Sequence, residues 1–84
     1  MAGYNELKLR TLEIFARSGP IYPGEYMVRA RFYPLAAAHG YCIRLAKMRL
    51  LRRTIDRRGR HLYSLTRAGE KRLAWLRAQS RAAR

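Results

Sequence analysis

The sequence is poor in cysteine and has no long apolar run. Among its 84 residues there is a single cysteine, Cys42, so no disulfide can form within the chain and a reducing compartment is the simplest expectation. No apolar run approaches the roughly 18 residues of a membrane span, and no charged start is followed by an apolar signal stretch. We therefore expect a soluble cytoplasmic protein without a membrane partner.

Acidic residues are also scarce. Five aspartates and glutamates face 19 lysines and arginines, which leaves a formal net charge of +14. Residues 1–42 hold five basic and three acidic groups (net +2), and residues 43–84 hold fourteen and two (net +12). Such self-repulsion is tolerated where a polyanion neutralises it, and the candidates are DNA, RNA or an anionic membrane surface. The partner surface is expected in the second half.

Patterns that would indicate catalysis or metal binding are missing as well. Nucleophilic catalysis would need a base and an orienting acid beside Cys42 or a serine, and neither a carboxylate pair nor a phosphate-binding loop is visible. His39, Cys42 and His61 are scattered candidates that do not make a four-ligand metal site. We expect no enzyme activity, no metal and no cofactor, with Cys42 as a small core residue.

What the sequence does contain is enough apolar material for a small core. Hydrophobic residues make up 49% of the chain and aromatic residues 11%, which is too apolar for a disordered basic tail. A chain of this length forms one domain at most. We predict a single domain over residues 1–84, frayed at 1–4 and 80–84.

Helical periodicity and end signals predict three helices in the first half. Asn5 is a plausible cap for a helix over 5–18, which Gly19 and Pro20 end. After a short extended segment at Ile21 and Tyr22, the other two are expected over about 24–32 and 35–48, separated at Pro34. Two helices joined by so tight a turn resemble a helix-turn-helix.

The first predicted helix has two apolar faces and so needs two packing partners. One face suits the core. The other, with or without Trp75 from the end of the chain, is interpreted as a two-fold contact in a homodimer, although a residue placed like Trp75 also often just packs on a neighbouring helix. The predicted interface consists of Leu9, Leu12, Ala16 and Trp75.

The third predicted helix has an apolar side and an open side. Leu35, Ala38, Cys42 and Leu45 recur at spacings of three and four and are predicted to face the core. The opposite side is small near its start and basic near its end, and it carries Ala36, Ala37, His39, Gly40, Arg44 and Lys47.

A basic hairpin and a fourth helix complete the pattern. Residues 50–55 and 60–65 are predicted as two strands around a turn that begins with Asp56 and ends with Gly59. Thr66 is a candidate cap for a helix that starts at Arg67.

Two stretches carry a resemblance to a known family. Leu45–Arg53 (LAKMRLLRR) and Tyr63–Gly69 (YSLTRAG) are similar to the L-x-x-x-G-L-(L/V)-x-R and Y-x-L-T-x-x-G patterns of MarR-like and PadR-like bacterial transcription regulators. The resemblance covers residues 20–78 by topology and 45–73 by motif. It implies a mainly α fold with a small β-hairpin: a winged helix-turn-helix with a three-helix core, a two- to three-stranded wing and a C-terminal helix.

The chain departs from that pattern in two ways. Arg49 stands where the family has a glycine in the left-handed conformation, which costs a residue with a Cβ roughly 1–2 kcal/mol. Either Arg49 bears that strain or the helix ends differently. The chain also lacks room for the sensor helices of these families, so no small-molecule ligand is expected.

The resemblance implies that the third helix enters a major groove while the wing lies on phosphates or in a minor groove. We therefore predict a duplex DNA-binding regulator of modest sequence specificity, with a guanidinium of Arg58–Arg60 in a narrow minor groove. The predicted DNA-binding residues are Ala36, Ala37, His39, Gly40, Arg44, Lys47, Arg52, Arg53, Arg57, Arg58 and Arg60.

Two other functions fit the same composition. An RNA- or ribosome-associated basic protein would be equally small and basic. A winged helix used for protein interaction would bind an acidic partner instead of nucleic acid. DNA binding implies a cytoplasmic, nucleoid-associated location, and the target sequence remains open.

Overall fold

The computed structural model of the chain describes residues 3–82, with side chains from residue 5 onward. Its helices are α1 (Gly3–Ser18), α2 (Pro23–Ala30), α3 (Leu35–Lys47) and α4 (Arg67–Ala82). Strands β1 (Leu51–Ile55) and β2 (His61–Leu65) lie between α3 and α4. The predicted order of elements is confirmed, and each predicted boundary lies within two residues of the observed one. α1 begins at Gly3 and α4 extends to Ala82. The expected fraying of residues 1–4 and 80–84 stays a prediction, and residues 1–2 and 83–84 lie outside the described residues.

The helix-turn-helix is delimited by proline and by a left-handed arginine. Pro23 occupies the first position of α2, where its missing N–H costs nothing. Arg31 follows α2 with φ +53°, and Pro34, in extended conformation, directly precedes α3. The turn between the helices is therefore only four residues long, as the position of Pro34 predicts.

The wing is a two-stranded antiparallel hairpin with a one-residue third strand. Leu51 pairs with Leu65 at its base and Ile55 with His61 at its tip. Ile21 forms an isolated bridge to Tyr63, in which each backbone N–H donates to the other's carbonyl at 2.9 and 3.0 Å. The expected extended segment after α1 is thus the link that joins the hairpin to the helices.

The core is built from every element except the tip of the hairpin. Leu12 and Phe15 of α1, Tyr26 of α2 and Leu45 of α3 are at most 1% exposed. The prediction that Leu35 faces the core is wrong, because it is 48% exposed at the very start of α3, beyond the end of the packed interface. The buried residues of α3 are Ala38, Tyr41, Cys42 and Leu45.

Much of the second apolar face of α1 packs within the chain, although Ala16 is exposed. Leu12 is completely buried and Leu9 is half-buried against the core. Glu13, which helical geometry places on the same side as Leu9, accepts a hydrogen bond from Arg77 of α4 at 3.3 Å. The partner that this face needs is therefore α4.

The Y-x-L-T-x-x-G stretch is explained by contacts at the start of α4. Thr66 caps the helix, since its Oγ1 accepts the Gly69 N–H at 2.9 Å. Gly69 packs so closely that an added Cβ would overlap the backbone carbonyl oxygen of Leu50 and lie 2.6 Å from Leu65 Cδ1. Only glycine allows α4 to lie this close to the chain between α3 and β1.

The C-terminal end of α3 has arginine at the position where the resembling families have glycine. Arg49 has φ +63° and so bears the left-handed conformation itself. The Arg49 N–H donates to the Ala46 carbonyl and the Leu50 N–H to the Leu45 carbonyl, both at 3.0 Å. These two bonds define the Schellman ending that usually has glycine at this position.

Candidate nucleic-acid interface

The outer side of α3 is open, as predicted. Ala36, Ala37, Gly40, Arg44 and Lys47 are all exposed. An added Cβ on Gly40 would meet nothing within 4 Å, so no part of the described chain covers the helix there. The small residues leave the backbone accessible in the first two turns, and the basic ones provide charge in the last turn.

The side chain of His39 contacts the wing. Its Nε2 lies 3.1 Å from the hydroxyl of the buried Tyr63 and 3.4 Å from Nδ1 of His61. Burial, and then the charges of His61 and Arg53, lower the pKa of His39 below its usual 6.5. His39 thus links α3 to β2, which gives it a structural role besides the predicted one at the interface.

All five wing arginines are exposed. Arg52 and Arg53 lie on β1, Arg57 and Arg58 lie in the turn, and Arg60 directly precedes β2. No hydrogen bond or ion pair holds the guanidinium groups of Arg57 and Arg58 to another of the described residues. These two are therefore available to a partner at the tip of the wing.

Arg60 is engaged within the protein. Its Nε lies 2.9 Å from Asp56 Oδ2, and its guanidinium carbon lies 4.5 Å from the centre of the Tyr22 ring. Tyr22 also donates to Asp56 Oδ2 at 2.7 Å. This cluster was not foreseen, because Tyr22 is 34 residues from Asp56 and only the predicted extended segment hinted at their proximity.

Asp56 organises the turn of the wing. Its Oδ1 accepts the backbone N–H groups of Arg58 and Arg60 at 2.8 and 2.9 Å, and Gly59 supplies the left-handed residue with φ +77°. The hydrogen bond from Tyr22, followed by that from the Arg60 backbone, holds the pKa of Asp56 well below its usual range. The turn is therefore built around the Asp56 carboxylate.

A basic groove runs between α3 and β1. Its volume is about 470 Å³, and none of the residues that line it is acidic. Lys47 comes from α3, while Arg52 and Arg53 come from β1, so the groove joins the two predicted binding elements. The full lining is Ile43, Ala46, Lys47, Arg49, Leu51, Arg52, Arg53 and Thr66. Of these, Arg49 was noted in the sequence for its conformation but not as a site residue.

The four residues predicted to form a dimer interface do not form one surface. Leu12 is fully buried inside the chain, which makes its prediction wrong, and Leu9 is half-buried. Ala16 is exposed, and Trp75 is 53% exposed. Trp75 lines a separate groove of about 570 Å³ with Met48, Leu50, Ala68, Lys71 and Arg72.

The structure does not bring the three candidate metal ligands, His39, Cys42 and His61, into one group. Cys42 is buried, and burial raises the pKa of its thiol to about 12, as suits an inert core residue. His39 and His61 lie together, but the part of the chain that the structure describes has no group of three or more metal-ligating side chains. Over residues 3–82, no helix is long and apolar enough to cross a membrane.

The fold and the exposed helix define a winged helix-turn-helix domain. Comparison with solved structures finds the same fold in transcriptional regulators, including some of the MarR family. A MarR-family transcriptional regulator from Silicibacter pomeroyi is 24% identical (TM-score 0.77) and matches 90% of this chain and 51% of its own. A probable transcriptional regulator from Pseudomonas aeruginosa is 27% identical (TM-score 0.78), with 90% and 58% covered. The chain therefore has the MarR-type winged-helix fold.

A third similar structure is BpsR of Bordetella bronchiseptica, whose DNA binding is described as regulated by 6-hydroxynicotinic acid. It is 19% identical (TM-score 0.75), with 92% of this chain and 58% of BpsR covered. The chain thus spans about half the length of the regulators it matches. No protein-family model matches the sequence, and no curated protein matches it.

Proposed function

We propose that this chain is a duplex DNA-binding transcription regulator rather than an enzyme. The outer side of α3 enters the major groove, with Arg44 and Lys47 as its polar contacts and its small residues against thymine methyl groups. Arg57 and Arg58 lie on phosphates or in the adjoining minor groove. Arg60, which Asp56 and Tyr22 hold, shapes the wing instead of entering the DNA.

The observation that carries this proposal is the basic groove between α3 and β1. It brings Lys47 together with Arg52 and Arg53, and no carboxylate among its lining residues competes for them. A helix beside a row of unneutralised arginines fits the geometry of a DNA groove flanked by phosphates. The MarR-type fold and the regulators that share it support the same function. The cytoplasmic, nucleoid-associated location follows if the partner is DNA.

Few hydrogen-bonding side chains lie on the outer side of α3, so phosphate contacts supply most of the affinity and sequence specificity is modest.

The expectation that no small molecule is bound stays a prediction. DNA binding by BpsR, which has the same fold, is regulated by 6-hydroxynicotinic acid. A screen of aromatic acids for a shift in the melting temperature of this chain tests the prediction.

A salt-titrated binding series tests the proposal. The chain is titrated with duplex DNA, duplex RNA and single strands of the same sequence between 50 and 200 mM salt. Since A-form RNA denies a helix access to its major groove, we expect duplex DNA to bind most tightly. Tighter binding to RNA would favour the RNA-associated alternative, and no retention on any nucleic acid would favour a protein-interaction module.

A double variant, Arg57→Ala with Arg58→Ala, tests the wing. Loss of two phosphate contacts is expected to lower the slope of log affinity against log salt by roughly 2. The matched control is Arg17→Ala with Arg81→Ala, which removes the same charge from exposed positions on α1 and α4. Equal effects of both pairs would mean that net charge, not the wing, drives binding.

We propose further that two copies of the chain form a dimer, because two DNA-binding domains fit a palindromic site better than one. Trp75 and Met48 form an exposed apolar pair beside α4 and support this contact. Light scattering of wild type and Trp75→Ala at high concentration, with and without DNA, tests it. A monomeric mass for wild type in every condition would exclude the dimer.

A further inference from the structure

Two arginines end helices in the left-handed conformation that favours glycine. Arg31 ends α2 with φ +53°, and Arg49 ends α3 with φ +63°. Both lie in the same hydrogen-bonded motif, since the residue after each donates to the carbonyl five positions earlier at 3.0 Å. The two positions are therefore matched in backbone geometry, in charge and in exposure.

Their surroundings differ. Arg49 lines the basic groove with Lys47, Arg52 and Arg53, while Arg31 does not. Four cations around one groove repel each other, and no lining residue is acidic. Strained residues that persist although a cheaper residue exists tend to cluster at binding sites, and glycine at position 49 would both relieve the strain and reduce the repulsion.

The backbone of Arg49 is held firmly in its unfavourable conformation. Thr66 Oγ1 donates to the Arg49 carbonyl at 2.6 Å and lies 3.0 Å from that of Leu50. Leu45 and Leu50, whose backbone hydrogen bond closes the motif around Arg49, are 0% and 4% exposed. The point where the Arg49 side chain leaves the backbone is thus fixed by α3, the start of β1 and the cap of α4 together.

We propose that this groove is a binding site for a backbone phosphate of duplex DNA and that Arg49 closes it. A guanidinium offers planar, paired N–H donors that match two phosphate oxygens. The chain keeps arginine where glycine would be more stable because the phosphate needs that donor. This inference rests on the proposed DNA-binding function and adds a contact at a position where the resembling families have glycine.

The test compares Arg49→Gly with Arg31→Gly as its matched control. Both variants remove one charge and one left-handed strain, so both are expected to raise the melting temperature, on the order of 4–8 °C for a domain of this size. Only Arg49→Gly is expected to weaken binding of a 20-base-pair DNA duplex, by roughly tenfold, with a salt slope lower by about 0.9.

Equal binding by Arg49→Gly and wild type would overturn the inference, as it would mean that Arg49 only compensates the C-terminal dipole of α3. An equal loss in Arg31→Gly would overturn it too, because the effect would then be one of net charge. If wild type binds no DNA, the proposed function fails separately. Inorganic pyrophosphate is then titrated into the protein, and the NMR signals of the backbone amides that line the groove are followed. Shifts in wild type that are lost in Arg49→Gly support a phosphate site. Absence of shifts in wild type overturns it.

Discussion

The two halves of the chain contribute different things to the molecule. Residues 1–42, with a net charge of +2, contain α1, α2 and more than half of α3, and they supply the largest buried rings other than Tyr63. Residues 43–84, with a net charge of +12, contain the end of α3, the wing and α4. Charge is thus concentrated in the half that contains the wing and the basic end of α3.

The difference shows how a small domain tolerates so much positive charge. Burial of apolar surface must offset the repulsion, and the first half carries much of that burial with few charges in the way. Substitutions in the buried part of the first half should therefore change stability without changing binding, whereas those of the exposed arginines at the tip of the wing should do the reverse.

The largest effect is expected where the charged half touches the core. Gly69→Ala places a Cβ against the Leu50 carbonyl and Leu65, which should cost about 3 kcal/mol of unfolding free energy and lower the melting temperature by more than about 10 °C. Thermal unfolding followed by circular dichroism measures it. Gly24→Ala is the control, because an added Cβ there meets nothing within 4 Å. If Gly69→Ala had the melting temperature of wild type, α4 would pack less closely against Leu50 and Leu65 than described.

A smaller effect is expected inside the first half. Thr11 and Tyr26, both fully buried, share a hydrogen bond of 2.6 Å. Tyr26→Phe leaves the Thr11 hydroxyl without that partner and should cost about 1–2 kcal/mol, while Tyr26→Phe with Thr11→Val should cost less than the two single changes together. DNA affinity should not change in either. Additive costs in a double-mutant cycle would mean that the Thr11–Tyr26 hydrogen bond does not contribute to stability. A change in DNA affinity would contradict the proposed difference between the two halves.

The smallest effect concerns pH at the junction of the halves. Because the pKa of His39 lies below 6.5 in the folded chain, the unfolded chain binds the proton more readily. Stability should therefore be intact above pH 6.5 and fall as the pH drops below it. Tyr63, His61 and Arg53 are the groups that face His39. His39→Gln should reduce the fall in melting temperature between pH 7.5 and 5.5, and an unchanged fall would assign it to other groups.

Local signals in the sequence were enough for the order of elements. Pro34 marks the start of α3, Asp56 and Gly59 mark the turn of the wing, and Thr66 marks the start of α4, because each acts on its own stretch of backbone. The conformation of Arg49 was left open, because the resemblance pointed to this position and arginine lacks the local signal that glycine gives.

Packing between distant elements was harder to predict. Leu35 fits the apolar spacing of α3, but spacing does not show where the packed interface ends. Leu12 belongs to a second apolar face, and only the position of α4 shows that the chain covers this face itself. The Asp56, Tyr22 and Arg60 cluster depends on contacts across 34 to 38 residues, which no local pattern reveals.

The link between α1 and α2 holds the wing at two points. Ile21 pairs with β2 through two backbone hydrogen bonds, and the next residue, Tyr22, holds the turn through Asp56. The hairpin is therefore preorganised before it meets a partner. Little conformational entropy of its backbone remains to be lost on association, so the ordering cost of binding falls chiefly on the long side chains of Arg57 and Arg58.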